Sequence, residues 1–179
     1  FGIETGNEQT RHALLKKALT DRDIITCAAL LRKNGIRFRT YNILGLPGEG
    51  LEDAFQTVRL NETIGTDYPW CSIYQPLPGT ELAEQCRTKD LYSDEERVHQ
   101  PSFFKGSSLR LERKNEIVNL HKLFFYAVKF PSLEKLIRVA IRQRPNALYT
   151  LLFLVGHAWT YYFSELVSFR SLFSTGAMN

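Results

Sequence analysis

Gly45, Pro47 and Gly48 form a tight corner inside Tyr41-Asn-Ile-Leu-Gly-Leu-Pro-Gly-Glu49. Glycine admits positive φ and lets a ligand approach backbone closely, while proline fixes the corner. Glu49 falls near the start of the helix that follows, where the dipole favours a carboxylate. A strand, a Gly/Pro loop and a helix start are how α/β proteins present backbone groups to a ligand at the carboxyl end of a sheet. An ordinary βα turn is the competing reading, because short glycine motifs recur widely. Two further strand ends carry polar groups. Phe1-Gly-Ile-Glu-Thr-Gly6 brings Glu4 to one of them, and Ile73-Tyr-Gln-Pro-Leu-Pro-Gly-Thr80 brings Tyr74 and Gln75 to the other. The chemistry these residues offer is ligand binding. His12, His99, His121 and His157 are widely separated and lack the spacing of a metal site, so no general acid or base and no metal ligand is assigned. Cys27 and Cys71 read as buried core thiols, and Cys86 has no partner at metal-site spacing.

The elements that position these ends follow from periodicity and caps. Phe1–Thr5 alternates as a strand, and a helix is expected over Asn7–Leu19. Thr20 and Asp23 form a capping box for a helix that Asn34-Gly35 ends. Arg37–Leu44 is a strand, Leu51–Ile64 a helix and Trp70–Gln75 a third strand. Thr80 caps a short helix through Cys86. This β-αα-β-α-β-α order demands parallel crossovers and closes near Leu91. A polar stretch over 92–110 reads as a linker or active-site loop. From Leu111 the pattern is helical: Asn115–Val128, then Ser132–Arg144 with Ser132 as cap, then Asn146–Phe173. The expected units are therefore 1–91, 92–110 and 111–179.

Taken in order, the GIETG, GLPGE and PLPGT strand ends resemble the second half of a radical S-adenosylmethionine (radical SAM) barrel. The resemblance is nearest to the group that carries a cobalamin-binding domain upstream, and it covers roughly the first half of the chain. It implies an α/β fold: the second half of a partial TIM-like barrel of about three parallel strands, followed by an all-α extension. It also implies S-adenosylmethionine as ligand. Glu4 would meet its ribose, whose vicinal hydroxyls suit a carboxylate acceptor. Ile43 would lie against adenine, and either Tyr41 or Asn42 would reach the ribose. Backbone at Tyr74, Gln75 and Pro76 would meet the adenine edge, with Gln75 turned toward substrate. The competing readings are a strand-end salt bridge for Glu4 and plain barrel packing for Ile43. The CxxxCxxC loop that holds the family's 4Fe–4S cluster is not in this sequence, since Cys27, Cys71 and Cys86 are too dispersed. Cluster ligands and any cobalamin domain are thus expected outside this chain. The chain is expected to be the C-terminal part of a longer radical enzyme, methylating or rearranging an unidentified small or lipid-like substrate. The alternative enzyme is a phosphate- or nucleotide-binding α/β barrel without iron–sulfur chemistry.

Composition narrows the partners. At 179 residues, with 44% hydrophobic and 23% charged residues, the chain reads as globular. In the first half of the chain the basic residues behind its net charge of +4 are not gathered into a dense stripe, so nucleic acid is not an expected partner. Three cysteines without a framework fit a reducing compartment, and the expected location is cytoplasmic. Residues 146–173 form a long apolar segment with arginines before it and Trp159, Tyr161 and Tyr162 inside it. Peripheral contact with the inner face of a membrane is one expectation for it; packing on the barrel or in a dimer is the other.

Overall fold

The computed structural model of the protein describes residues 1–92, 104 and 106–174, with residues 163–174 as helix backbone only. The greater part of the 92–110 loop therefore lies outside the described residues. Three parallel strands, β1 (Gly2–Glu4), β2 (Arg39–Leu44) and β3 (Tyr68–Ile73), form one sheet in the order β1-β2-β3. The crossovers are α1 (Glu8–Ala13) with α2 (Asp21–Lys33), and α3 (Leu51–Ile64). After β3 come α4 (Glu81–Thr88), α5 (Lys114–Lys129), a 3-10 turn (Pro131–Leu133), α6 (Glu134–Ala140) and α7 (Ala147–Ser174). The expected α/β architecture, three parallel strands followed by a helical part, is what the chain adopts.

Local chemistry explains most of the boundaries. The Thr20 hydroxyl accepts from the Asp23 N–H, and the Asp23 carboxylate accepts from the Thr20 N–H, so the capping box is complete. Asn7 caps α1 through its side chain, and Thr80 caps α4. Gly65, at φ 61°, ends α3 in the left-handed conformation that favours glycine.

Four expectations shift. The first helix stops at Ala13 rather than Leu19. Arg11 is fully buried and ion-paired with Asp21, which obliges the chain to turn back through Lys16 at φ 54°. The third strand begins at Tyr68, because β2 and β3 pair residue for residue from Arg39 with Tyr68 to Leu44 with Ile73. Ser132 lies in the 3-10 turn and caps nothing; Pro131 opens that turn and α6 starts at Glu134. Cys27 is exposed, since only the Ile24–Ala28–Leu31 stripe of α2 turns toward the core.

Helices cover one face of the sheet. Leu44, Cys71 and Ile73 point there and meet Leu51, Phe55 and Val58 of α3, then Ile117, Leu120 and Phe124 of α5. Ile137, Ile141 and Tyr149 join the same core, so the helical part packs continuously with the strands. A second cluster sets Ile3 of β1 against Ile24, Ala28, Leu60 and Ile64 of α2 and α3.

Gly6 carries a further constraint. A Cβ there would stand 2.4 Å from the Gln56 backbone, and the Gly6 N–H donates to Thr57 Oγ1 at 2.8 Å. Gly6→Ala should therefore lower stability in urea unfolding by about 1–3 kcal/mol, the range for overpacking a close contact. A change within error would mean that the β1–α1 loop can lift off α3 freely.

Candidate functional site

The parallel pairing carries all three motif blocks to the same edge of the sheet. The carboxyl ends of β1, β2 and β3 are Glu4, Leu44 and Ile73. Thr5-Gly6-Asn7 then meets the loop after β2 and the first two turns of α3 through three hydrogen bonds. The Thr5 hydroxyl donates to Glu49 Oε1 at 2.5 Å, Asn7 Nδ2 donates to Asp53 Oδ1 at 2.7 Å, and the Gly6 N–H reaches Thr57. Asp53 also accepts from the Gly50 N–H at 2.8 Å, which satisfies one open donor at the start of α3.

Glu49 is buried, at 6% exposure. Burial pushes its carboxyl up to about 7, and Asp53 pushes the same way; the Thr5 hydroxyl bond pulls it down. Neither Thr5 nor Glu49 stands out in the sequence as a binding residue. A glutamate at a helix start ordinarily faces water, and nothing in the residue order shows that the preceding loop folds over it.

The other face of the sheet carries Tyr41 and Ile43, with Trp70 and Ser72 beside them by register. Tyr41 is 46% exposed. Glu4 stands at this edge too, at φ 68°, with its carboxylate folded over Gly2 and paired with Lys17 at 2.5 Å. Glu4, Tyr41 and Ile43 are thus brought to one surface. That surface offers an apolar platform at Ile43, a hydroxyl at Ser72 and a carboxylate at Glu4. Such a set fits a nucleoside: apolar contact for the base and oxygen acceptors for ribose hydroxyls.

Other expected residues go elsewhere. Asn42 points to the helix face and is 1% exposed. Its Nδ2 donates to the Trp70 carbonyl at 2.9 Å and its Oδ1 accepts from Asn61 Nδ2 at 2.8 Å, so both ends of its amide are engaged within the protein. Strand alternation puts it there, because Thr40, Asn42 and Leu44 share the buried side. Gln75 is turned inward. It is 5% exposed, donates to the Gly106 carbonyl and accepts from Ser108 Oγ at 3.1 Å, which anchors residues 106–108 over the end of β3. The Tyr74 phenol turns to Cys86 of α4, and burial pushes it up. Gly45, at φ 75°, faces Leu111, whose Cδ1 would lie 2.8 Å from an added Cβ, so packing already accounts for this glycine. Gly48, at φ 86°, is exposed with nothing within 4 Å of an added Cβ, and leaves its backbone open to a ligand. Among the described residues no three His, Cys, Asp or Glu side chains gather as a metal site.

Two outcomes follow. Asn42→Ala should cost about 1–3 kcal/mol of stability, the price of leaving the Asn61 amide and Trp70 carbonyl unmet, while nucleoside affinity per folded molecule stays at the wild-type value. A selective loss of affinity in calorimetric titration would return Asn42 to the binding surface. Glu49 governs a pH dependence. Its carboxyl titrates near 7 in the fold and near 4.5 otherwise, so its contribution is full below pH 4.5 and is lost as pH rises through 7. The loss is about 3 kcal/mol. His121 opposes it, since burial pushes that ring down to about 4 and its contribution is lost as pH falls below 6.5. The difference between the protein and Glu49→Gln isolates the carboxyl. Urea unfolding should show Glu49→Gln gaining about 3 kcal/mol relative to the parent between pH 4.5 and 8. A difference that does not vary with pH would mean that Glu49 titrates as an exposed carboxyl.

No family model matches the chain. Curated relatives do. Over 66 residues, 37% of this chain, it is 35% identical to the tRNA-2-methylthio-N(6)-dimethylallyladenosine synthase of Shewanella baltica, covering 14% of that protein. A protein of the same name from Pseudomonas aeruginosa is 34% identical over 68 residues, 34% of this chain and 15% of the relative. A third, from Sulfurihydrogenibium, is 24% identical over 143 residues, 79% of this chain and 29% of the relative. The chain thus spans less than a third of the length of each. These likenesses support the radical S-adenosylmethionine resemblance at large and an enzyme as the parent; they carry nothing for its cobalamin-binding group.

Proposed function

We propose that this chain supplies part of the S-adenosylmethionine-binding surface of a radical enzyme. One observation carries the reading. The GIETG, GLPGE and PLPGT strand ends lie side by side at one edge of a parallel sheet, with Glu4, Ile43 and Ser72 on its open face. In this reading Ile43 takes the adenine against its side chain. Glu4 exchanges the Lys17 ammonium for ribose hydroxyls, and the Gly48 backbone borders the ligand. Thr5 and Glu49 touch no substrate; they hold the first two strand ends in register. The chemistry that S-adenosylmethionine and a reduced 4Fe–4S cluster supply in such enzymes is a 5′-deoxyadenosyl radical. Ligands for the cluster are expected outside this chain, and no step is assigned to residues within it.

Two finer readings differ in product. The cobalamin-group resemblance points to methylation or rearrangement of a small or lipid-like substrate. The name shared by the relatives points to methylthiolation of an adenosine in tRNA. Mass spectrometry of tRNA from cells lacking the parent gene separates them: loss of a methylthio-modified adenosine supports the second, and unchanged tRNA supports the first.

Calorimetric titration of the reconstituted full-length parent with S-adenosylmethionine tests the surface itself. Ile43→Ala and Glu4→Gln should each weaken binding by about 1–3 kcal/mol. Lys17→Ala, which frees the Glu4 carboxylate, should leave binding intact or strengthen it. Wild-type affinity in both Ile43→Ala and Glu4→Gln would overturn the assignment of these residues, and a parent that does not bind S-adenosylmethionine at all would favour an α/β barrel that binds another nucleotide or phosphate.

A further inference from the structure

Residues 147–162 of α7 contain no charged side chain. Their inward face is fixed by α5 and α6. Gly156 sits against the Phe125 ring, the Tyr126 hydroxyl donates to the Leu152 carbonyl at 3.0 Å, and the Tyr149 hydroxyl donates to the Ala140 carbonyl at 2.7 Å. These contacts decide which side of the helix looks out. Leu148, Leu151, Leu154, Val155, Trp159, Tyr161 and Tyr162 are each more than half exposed on that side. An ordinary surface helix shows water its polar face. Here the exposed face is apolar and contiguous, which marks an interaction surface.

Cations border it. Arg142 and Arg144 are exposed in the turn that leads into α7. Along the helix, Thr150 and Trp159 point about 180° apart at 3.6 residues per turn. Lys122 donates to Thr150 Oγ1 at one margin, and at the other Lys129, whose ammonium donates to the Thr66 carbonyl, lines an apolar groove with Phe130, Val155 and Trp159. No acidic residue lines that groove. From Leu111 onward the sequence holds nine Lys and Arg against four Asp and Glu, so the positive charge of the chain is concentrated in its helical part.

We propose that the outward face of α7 lies in the interface of an anionic phospholipid bilayer, with Arg142 and Arg144 at the level of the phosphates and Lys122 and Lys129 along the margins. Cations around an uncharged apolar face match acyl chains below and anionic headgroups beside them. The rings of Trp159, Tyr161 and Tyr162, apolar in body and polar at one edge, suit the headgroup boundary. Among the described residues no helix is long and apolar enough to cross a membrane, which fits a helix lying in the plane. Among the described residues, a second copy of the groove would bring Lys129 to Lys129 with no acid in its lining to meet them. RNA would find no cation on the apolar face itself. The inference is independent of what the strand ends bind.

Co-sedimentation of the protein with vesicles tests it. The chain should sediment with phosphatidylcholine vesicles containing roughly one-third phosphatidylserine and not with pure phosphatidylcholine, and binding should fall as salt rises. Leu151→Glu should abolish binding, and Arg142→Gln with Arg144→Gln should weaken it about tenfold or more. Leu154→Glu repeats the test at a second exposed position if Leu151→Glu alters the circular dichroism. Failure to bind anionic vesicles at low salt would overturn the proposal. So would wild-type binding by both glutamate variants, a dimer that Leu151→Glu dissolves, or full displacement from vesicles by tRNA.

Discussion

The bond from the Thr5 hydroxyl to buried Glu49 is the constraint on which the strand-end surface depends. β1 is three residues long and pairs only with β2 among the described residues, so its own ladder holds it weakly. What keeps its end level with the end of β2 is the polar hook of Thr5, Gly6 and Asn7 onto Glu49, Thr57 and Asp53. Glu49 comes from the β2–α3 corner and Asp53 and Thr57 from α3 itself, and Gly6 has no side chain because α3 leaves no room for one. A carboxyl in such a place ionises with difficulty. The same burial that makes Glu49 a costly anion makes it a good neutral partner, since the acid can accept from Thr5 without an unpaired charge.

The sheet meets a second difficulty at its far edge. β3 has no strand beyond it among the described residues, and an uncovered edge leaves backbone groups unpaired. Helix α5 answers this with a side chain. His121 Nε2 lies 3.1 Å from the Cys71 carbonyl on that edge. Burial holds the ring neutral, so it can donate there without bringing a charge into the core. Phe153 and His157 of α7 and Phe104 close around His121 and Trp70. In consequence the helical part covers a sheet edge and shares the core of the strands. The packing that seals the edge also fixes the roll of α7, and with it the apolar side left facing outward.

Much of this was legible in the residue order, for physical reasons that can be named. Capping chemistry is local, so Thr20 with Asp23 and Thr80 read correctly as helix starts. Periodicity over Leu51–Ile64 and Lys114–Lys129 was strong enough to place both helices within a residue or two. The blocks where the structure departs from the pattern depend on distant partners. Asn7–Leu19 looks helical throughout, yet the ion pair of buried Arg11 with Asp21 ends the helix at Ala13. Gln75 looks like an exposed amide at a strand end, yet Gly106 and Ser108, some thirty residues on, claim it.

By itself the sequence determined the element order, the parallel crossovers, the three motif-bearing strand ends and a long helix whose residues 147–162 carry no charge. Those features rest on spacing, caps and turn residues, which act over a few positions. Tertiary structure alone decided which side of β2 faces out, sending Ile43 and Tyr41 to the open face and Asn42 into a buried network with Asn61. It alone buried Glu49, paired Glu4 with Lys17 and turned Leu148, Leu151 and Leu154 of α7 to the outside. Period-two alternation states that neighbours on a strand take opposite faces; only the helices that dock on the sheet choose which face is covered.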